Sequence, residues 1–323
     1  MEFLEDYQKI VAKAIEKYTF KDKPEELYSP MNYIISHGGK RLRPIMVLMG
    51  NDMFDGDQEK AIKPALAIEF FHNFTLIHDD IMDEAPLRRN KPTIHTLHGI
   101  NVGILSGDGL LLKAYKFFED LEPELYKACV RIFTHTGILL CEGQQYDINF
   151  ETEGDVTFDE YLRMITYKTG VLSASSFEIG AVIAGANFKD AKHLFNFGKH
   201  VGIAFQIMDD YLDVYGDMAQ FGKKHAGDIY ENKKTVLYHY ALEFATPEER
   251  EELKYWYSKK TDNIDKIHGV EKIFRRTRVE EKVLQLIQKH NHIAQEFLQK
   301  INVKDEKKKP FIELANYLLT REV

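Results

Sequence analysis

Residues 61–83 read AIKPALAIEFFHNFTLIHDDIMD, an apolar run that ends in three aspartates. Within the run, apolar side chains recur at steps of three and four residues, and they include Ala67, Phe70, Phe71, Phe74 and Ile77. Such spacing places side chains on one face of an α-helix. The stretch therefore predicts a long helix over 61–78 whose end carries concentrated negative charge.

The same helical spacing recurs in three further windows, 125–148, 189–215 and 278–301. The sequence offers no convincing alternation of apolar and polar residues and no hairpin signal between apolar runs, which are the marks of strands. Helix is interrupted at 84–93, which contains two prolines, and at the polar stretch 216–232. Neither stretch has the character of a domain linker. We therefore expect an all-α fold of ten or more helices in a single domain, 1–323.

Composition narrows the possible functions. The chain has 323 residues, 44% of them hydrophobic and 29% charged, with a formal net charge of −8. This charge argues against a nucleic-acid partner, so an anionic substrate needs a local basic cluster or a metal ion. The two cysteines lack metal-binding spacing, which predicts neither disulfides nor structural zinc. Because the sequence has no evident signal peptide and no apolar run of about 18 residues, we expect a cytoplasmic protein without stable membrane insertion.

Two groups of three aspartates have identical spacing, and each ends an apolar helix. They are Asp79, Asp80 and Asp83, and Asp209, Asp210 and Asp213. Like charges one turn apart destabilise a helix, and the helix dipole adds to the cost at a C-terminal end. A solvated acidic end is the ordinary interpretation of one such triplet, but its repetition favours a shared function. Carboxylate oxygens suit Mg²⁺, which leaves its other positions to water and phosphates, so we predict several Mg²⁺ ions around a polyphosphate.

Basic residues stand close to both triplets in the sequence. The stretch GGKRLRP at 38–44 brings Lys40 and Arg43 to the start of a predicted helix, where backbone N–H groups favour an anion. The other basic residues are Arg88, Arg89, Lys168, Lys223 and Lys233. Single lysines in loops are usually only solvated, but two acidic groups and two basic groups together indicate two diphosphates. One would be bound through metal and the other directly by Lys and Arg.

The order and spacing of these motifs resemble those of the trans-isoprenyl diphosphate synthases, which are head-to-tail prenyltransferases. The resemblance runs through nearly the whole chain, in GGKRLRP at 38–44, DDIMD at 79–83, RR at 88–89, KT at 168–169, FQIMDDYLD at 205–213, GK at 222–223 and KKT at 233–235. Departures are small, since Asn90 and Asn232 stand where many members have glycine.

The resemblance implies a helical bundle around a central cavity, with the two aspartate triplets facing each other at its mouth, and a homodimer. It implies that an allylic diphosphate is condensed with isopentenyl diphosphate, with release of inorganic diphosphate. The six aspartates would ligate Mg²⁺, three ions with substrate bound. The product would be a short trans-prenyl chain, farnesyl or geranylgeranyl diphosphate.

The resemblance also implies roles for individual residues. Contacts to the allylic diphosphate would come from Arg88, Lys168, Lys223 and Lys233. The isopentenyl diphosphate pocket would consist of Lys40, Arg43, His72 and Arg89. Thr169 and Gln206 match positions near the developing allylic cation.

Product length is expected to depend on the helix that leads to Asp79. Its side chains would enter the cavity at intervals of one turn, about 5.4 Å. In the resembled family an aromatic residue five positions before the first motif goes with short products, and Phe74 stands there. Phe71 and Phe70 lie about one turn deeper and would complete the floor. Thr75 is small, which argues against a strict limit of fifteen carbons.

Four other functions fit parts of this pattern. A longer-chain polyprenyl diphosphate synthase is the main alternative. A class I terpene cyclase shares the implied fold, but its second metal motif mixes Asn, Ser or Thr with Glu, whereas this chain has a second DDxxD. A di-iron bundle could use Glu69 and His72 but needs a second Glu-x-x-His motif, which the sequence lacks. A catalytically silent partner subunit would tend to lose one aspartate motif, and both are intact.

Overall fold

The computed structural model describes residues 2–153, 156–216 and 225–319, which are mostly helical, so the predicted all-α fold of ten or more helices is confirmed. The helices are α1 (Glu2–Lys17), α2 (Glu25–Ser36), α3 (Leu42–Met53), α4 (Gln58–Met82), α5 (Ile94–His98), α6 (Ile100–Lys116), α7 (Pro123–Thr152), α8 (Phe158–Ile165), α9 (Val171–Ile183), α10 (Phe188–Tyr215), α11 (Gly227–Tyr230), α12 (Val236–Phe244), α13 (Pro247–Tyr257), α14 (Ile264–Arg276), α15 (Val279–Gln299) and α16 (Asp305–Leu319). A π-helical turn, Thr166–Gly170, joins α8 to α9.

The four helical windows predicted from spacing correspond to α4, α7, α10 and α15. Helix α4 begins where the Asp57 carboxylate accepts a hydrogen bond from the Glu59 N–H at 3.0 Å, a regular N-cap. Residues 64–71 are buried without interruption. A helix that is apolar on all sides is surrounded by other elements, and α4 packs against α3 and α6. The opening stretch therefore forms an interior helix, not an amphipathic surface helix.

A short hairpin lies within the predicted loop at 84–93. Strand β1 (Leu87–Arg88) pairs antiparallel with β2 (Lys91–Pro92). Between them Arg89 and Asn90 have φ angles of 52° and 61°. Positive φ at both central residues defines a turn type whose twist matches that of the two hairpin strands. Asn adopts a positive φ more readily than most residues do. Strands of two residues are too short to show alternation, which is why spacing alone does not reveal them.

The chain is divided into two compact units, each built from three stretches of sequence. Unit 1 comprises Met1–His135, Ser175–Phe195 and Ile301–Lys307, and it contains the first aspartate triplet. Unit 2 comprises Thr136–Ala174, Asn196–Lys300 and Lys308–Val323, and it contains the second. A single domain over 1–323 stays a prediction. Within the described ranges, every helix is too short or too polar to span a bilayer.

The core of unit 2 shows how sequence spacing builds its helices. The Asn263 side chain caps α14 by accepting from the Asp265 N–H at 3.0 Å. Buried residues then recur along α14 at Ile267, Val270 and Phe274, three and four positions apart. They join a core cluster with side chains of α10, α12 and α15, and fully burying one such side chain contributes about 1.5–3 kcal/mol.

Candidate active site

The first aspartate triplet lies at the C-terminal end of α4. The middle member, Asp80, is only 2% exposed, and its Oδ1 accepts from Nε and Nη2 of Arg88, each at 2.8 Å. Two charge-assisted hydrogen bonds from one guanidinium fix both side chains. Asp83 follows as the C-cap of α4 and is exposed. The middle carboxylate of this triplet is therefore engaged by the protein, and Asp83 lies at the surface.

A basic cluster accompanies this triplet in unit 1. Nη1 of Arg43 lies 3.1 Å from Nε2 of His72. Burial and the guanidiniums of Arg43, Arg89, Arg88 and Arg41 lower the pKa of His72 well below its usual value. His72 is therefore neutral, and because a guanidinium only donates, Nε2 must accept. This hydrogen bond fixes the orientation of Arg43.

The glycine pair before Lys40 has a role that the sequence did not reveal. The guanidinium of Arg89 donates to the Gly38 carbonyl, and a Cβ added at Gly39 would lie 2.7 Å from Nη1 of Arg89. Gly39 also has a φ of 119°, which side chains rarely allow. Gly39 therefore makes room for Arg89, whereas the sequence indicated only contact of the glycine backbone with an anion. Lys40 is exposed beside it.

Arg41 and Glu69 form a buried ion pair that the sequence reasoning missed. Arg41 is the N-cap of α3 and donates to the Glu69 carboxylate and to the Ile35 carbonyl. Glu69 is 3% exposed and also accepts from Asn73 Nδ2 at 3.0 Å. Leaving one member of a buried pair unpaired costs about 3–5 kcal/mol. Glu69 therefore anchors the GGKR loop, and this use of its carboxylate weakens the di-iron alternative.

The second triplet, on α10 in unit 2, repeats the pattern of the first. Its middle member, Asp210, is 6% exposed and accepts from the Tyr161 hydroxyl at 2.5 Å and from Gln206 Nε2 at 3.0 Å. Asp209 is exposed, and Asp213 Oδ2 accepts the Asp228 N–H at 3.0 Å. In both triplets the protein holds the middle carboxylate through hydrogen bonds.

The π-helical turn places Lys168 and Thr169 between α7 and α10. A Cβ at Gly143 on α7 would lie 2.4 Å from the backbone N of Lys168, so glycine is needed for this close approach. Lys168 Nζ lies 2.5 Å from Asp147 Oδ2, and Thr169 Oγ1 donates to Gln206 Oε1 at 2.9 Å. Single π-turns occur frequently at functional sites. The KT motif at 168–169 therefore lies in this turn.

A cavity of about 130 Å³ in unit 2 collects most of the residues predicted there. Its wall includes Lys168, Thr169, Gln206, Asp210, Asp228 and Lys233. Lys223, also predicted, lies outside the described residues. Asp228 was not predicted, although it belongs to the polar stretch 216–232 that interrupts helix in the sequence.

The carboxylates of this cavity favour a bound cation. Burial raises the pKa of Asp210, and burial followed by the nearby Asp210 and Asp213 raises that of Asp228. Lys233 lies 3.8 Å from Asp228 and 2.7 Å from Glu231. In the part of the chain described, no three His, Cys, Asp or Glu side chains are grouped closely enough to hold a metal alone. Mg²⁺ takes only one or two carboxylates and completes its shell with phosphate and water, so these donors fit it.

The predicted floor residues form part of an aromatic cluster in unit 1. The half-buried Phe74 ring lies 5.6 Å from that of Phe71, which lies 5.0 Å from Phe133. The Phe70 ring is fully buried and packs 4.9 Å from Phe117. Phe74 is therefore the most accessible of the three, and aromatic rings back the other two.

The described residues form a helical fold, and each aspartate triplet has basic residues in its own unit. A profile of the polyprenyl synthetase family matches residues 24–274. A geranylgeranyl diphosphate synthase of Sulfolobus acidocaldarius is 41% identical over 240 residues, which are 73% of this chain and 72% of that protein. A geranylgeranyl pyrophosphate synthase of Geoglobus acetivorans is 42% identical over 238 residues, covering 73% and 74%. A solved geranylgeranyl pyrophosphate synthase superposes with a TM-score of 0.94 over 99% of both chains at 37% identity.

The chain therefore belongs to the polyprenyl synthetase family. It is a prenyltransferase, and its activity is short-chain prenyl transfer.

Proposed function

We propose that the protein condenses an allylic diphosphate with isopentenyl diphosphate and that its product is geranylgeranyl diphosphate. The observation that carries the proposal is that basic residues accompany each aspartate triplet, Arg43 and Arg89 in unit 1 and Lys168 and Lys233 in unit 2. Two diphosphates require two sets of cationic side chains. The geranylgeranyl synthases similar to this chain favour a twenty-carbon product over a fifteen-carbon one.

Isopentenyl diphosphate is assigned to the basic cluster of unit 1. Lys40 and Arg43 supply charge, and neutral His72 orients Arg43 through the 3.1 Å hydrogen bond. Arg89 lies against Gly38 and adds a second guanidinium. The planar guanidinium of arginine can donate two parallel hydrogen bonds to the oxygens of a phosphate. The nearby Glu69 carboxylate does not oppose an anion here, because Arg41 neutralises it.

The allylic diphosphate is assigned to the aspartate triplets together with Lys168, Lys233 and Arg88. Mg²⁺, when bound, supplies Lewis-acid stabilisation of the leaving diphosphate. The allylic C–O bond breaks and its electron pair leaves on the diphosphate oxygen. Lys168 and Lys233 stabilise that developing charge. Burial alone would lower the pKa of Lys233, but the negative charges of Asp228, Glu231 and Asp147 raise it above its usual value. Lys233 therefore stays cationic.

The remaining steps place the new bond and the proton. The alkene of isopentenyl diphosphate attacks the allylic cation, and the resulting cation loses a proton, for which the released diphosphate is the base. The hydrogen-bonded pair Thr169–Gln206 presents oxygen dipoles that stabilise positive charge. Phe74 and Phe71 would line the path of the chain and exclude water from the cation.

One assay tests the proposal. The purified protein is incubated with Mg²⁺, isopentenyl diphosphate and each allylic diphosphate in turn, and the products are sized by chromatography. We expect a predominant twenty-carbon product and no turnover after chelation of the metal. A cyclised hydrocarbon, or no product from any primer, would overturn the assignment, and products well beyond twenty carbons would indicate the longer-chain alternative.

A homodimer and a cytoplasmic location are part of the proposal. Helix α6 leaves Ile100, Ile104, Leu105 and Leu112 between 41% and 70% exposed. Large apolar side chains exposed together on one helix point to an interaction site, and a second copy of this chain is the proposed partner. Cys129 and Cys141 are both free thiols, which suits a reducing compartment.

Replacing Leu112 with Glu is expected to shift the protein from dimer to monomer in sedimentation velocity, because the charge would be buried in the interface. Leu112 is 70% exposed in one copy, so the fold should tolerate the change. Ile264→Glu is the matched control, since Ile264 is 52% exposed on α14 of unit 2. An unchanged sedimentation coefficient for Leu112→Glu, or an equal change in both variants, would remove α6 from the interface.

A further inference from the structure

The segment Ala226–Thr235 carries three charged residues of the unit 2 cavity, Asp228, Lys233 and Lys234. It is tied to the second triplet, because the Ala226 N–H donates to the Asp213 carbonyl at 2.9 Å and the Asp228 N–H donates to Asp213 Oδ2 at 3.0 Å. The Lys233 N–H then donates to the Asp228 carbonyl at 2.9 Å. The position of Lys233 therefore depends on the turn that follows α11.

That turn is closed by Asn232. Its φ is 62°, a left-handed conformation that brings the chain back so that Lys233 follows beside Asp228. Asn232 is also the position at which many members of the resembled family have glycine. Either residue permits the backbone conformation, but only asparagine adds a side-chain oxygen at this point.

A buried lysine uses that oxygen. Lys266 is 0% exposed, and its Nζ donates to Asn232 Oδ1, to the Lys259 carbonyl at 3.0 Å and to the Tyr230 carbonyl at 3.3 Å. An ammonium group has three N–H donors, so these acceptors match it in number. Two of them, at Tyr230 and Asn232, lie in the turn between Asp228 and Lys233.

The placement of Lys266 is costly. A buried ammonium loses its hydration, and none of its three hydrogen-bond acceptors is a carboxylate. It also lies in the first turn of α14, where the helix dipole disfavours a cation. Burial lowers the pKa of Lys266 to about 8, so the three-donor ammonium form still predominates at neutral pH. A neutral apolar side chain would avoid these costs, but it could not hold the turn.

We propose that Lys266 is a positioning residue for the allylic diphosphate site, acting through the Tyr230–Asn232 turn to hold Asp228 and Lys233 beside the second aspartate triplet. This inference rests on the proposed function, in which the second triplet, Lys168 and Lys233 of unit 2 contribute to the allylic diphosphate site. Lys266 itself does not line the cavity. Its effect should therefore appear in the binding of the allylic substrate and metal, and not in the binding of isopentenyl diphosphate.

The test is Lys266→Met, which keeps the length of the side chain and removes all donors. We expect the KM for the allylic diphosphate and the Mg²⁺ concentration for half-maximal rate each to rise about tenfold, with the KM for isopentenyl diphosphate unchanged. Lys272→Met is the matched control, because Lys272 is an exposed lysine on the same helix. A variant that melts at lower temperature but keeps all three constants would show a structural role only and overturn the inference.

Asn232→Gly provides a milder second variant if Lys266→Met does not fold. Glycine permits the positive φ of the turn and removes only the side-chain acceptor, so the same two constants should rise by a smaller factor. Where Lys266→Met does fold, the double variant should be no worse than Lys266→Met alone, and fully additive effects would contradict the proposed coupling.

Calorimetric titration with inorganic diphosphate and Mg²⁺ separates this inference from the proposed function. If the wild-type protein shows no turnover in the prenyl-transfer assay, the proposed function is wrong, regardless of how the variants behave. The inference itself predicts weaker Mg²⁺-dependent diphosphate binding in Lys266→Met than in wild type and Lys272→Met. Equal binding in all three proteins, or no binding in any, would overturn it.

Discussion

Asp79→Ala is expected to lower kcat by about a thousandfold at saturating substrate. Loss of one metal ligand removes several kcal/mol of charge stabilisation in the transition state, and each 1.4 kcal/mol is about a tenfold change in rate. Asp209→Ala should have an effect of similar size, because each is the first member of its triplet. Steady-state rates measured over a range of Mg²⁺ concentrations provide the readout.

Glu252→Ala is the control for both substitutions. Glu252 is exposed on α13 of unit 2, so its replacement makes the same change in net charge away from the proposed site. It should leave kcat within about twofold, as most surface substitutions have small effects. If Asp79→Ala kept a tenth of the wild-type rate or more, or if Glu252→Ala were equally impaired, Asp79 would have no place among the metal ligands.

The pattern within each triplet explains why the first member is chosen for this test. Asp80 is held by Arg88, and Asp210 is held by Tyr161 and Gln206. Replacing a middle aspartate would leave Arg88, or the buried Tyr161, without its acceptor and reduce stability as well as activity. Asp209 is exposed, so a loss of activity there can be assigned to chemistry with less ambiguity.

Much of the fold could be predicted because helical spacing is a strong local signal. The windows of α4, α7, α10 and α15 were recovered to within a few residues. The hairpin at 87–92 could not be, since two-residue strands show no alternation and their turn uses Arg89 and Asn90 instead of a glycine-containing pair. The sequence did not show that α4 is buried on all sides. Helical spacing identifies one apolar face of a helix and says nothing about which elements cover its other faces.

The candidate site was predictable in its acidic and basic motifs and not in its supporting contacts. Asp210 belongs to a recognisable motif, but its partner Tyr161 lies 49 positions away and carries none. Glu69 matched a metal-binding spacing, and only the folded chain shows that its carboxylate receives Arg41. Such pairings depend on which helices pack together, and that is decided by the whole core.

Phe74→Ala is expected to lengthen the main product by about one five-carbon unit. The substitution removes the most accessible ring of the aromatic cluster and opens roughly one helical turn of depth, about 5.4 Å. Phe71 would then form the floor, because its ring is buried and backed by Phe133 at 5.0 Å. Products of wild type and variant made from the same allylic primer are compared by chromatography.

The double variant Phe74→Ala/Phe71→Ala should lengthen the product further, since it removes two successive rings. The control is Leu253→Ala, which creates a cavity at a fully buried position on α13 of unit 2. It should lower the free energy of unfolding by about 2–5 kcal/mol and leave product length unchanged. If Phe74→Ala gave the wild-type product, the floor would have to be sought elsewhere. If Leu253→Ala lengthened the product equally, packing loss alone would account for the change.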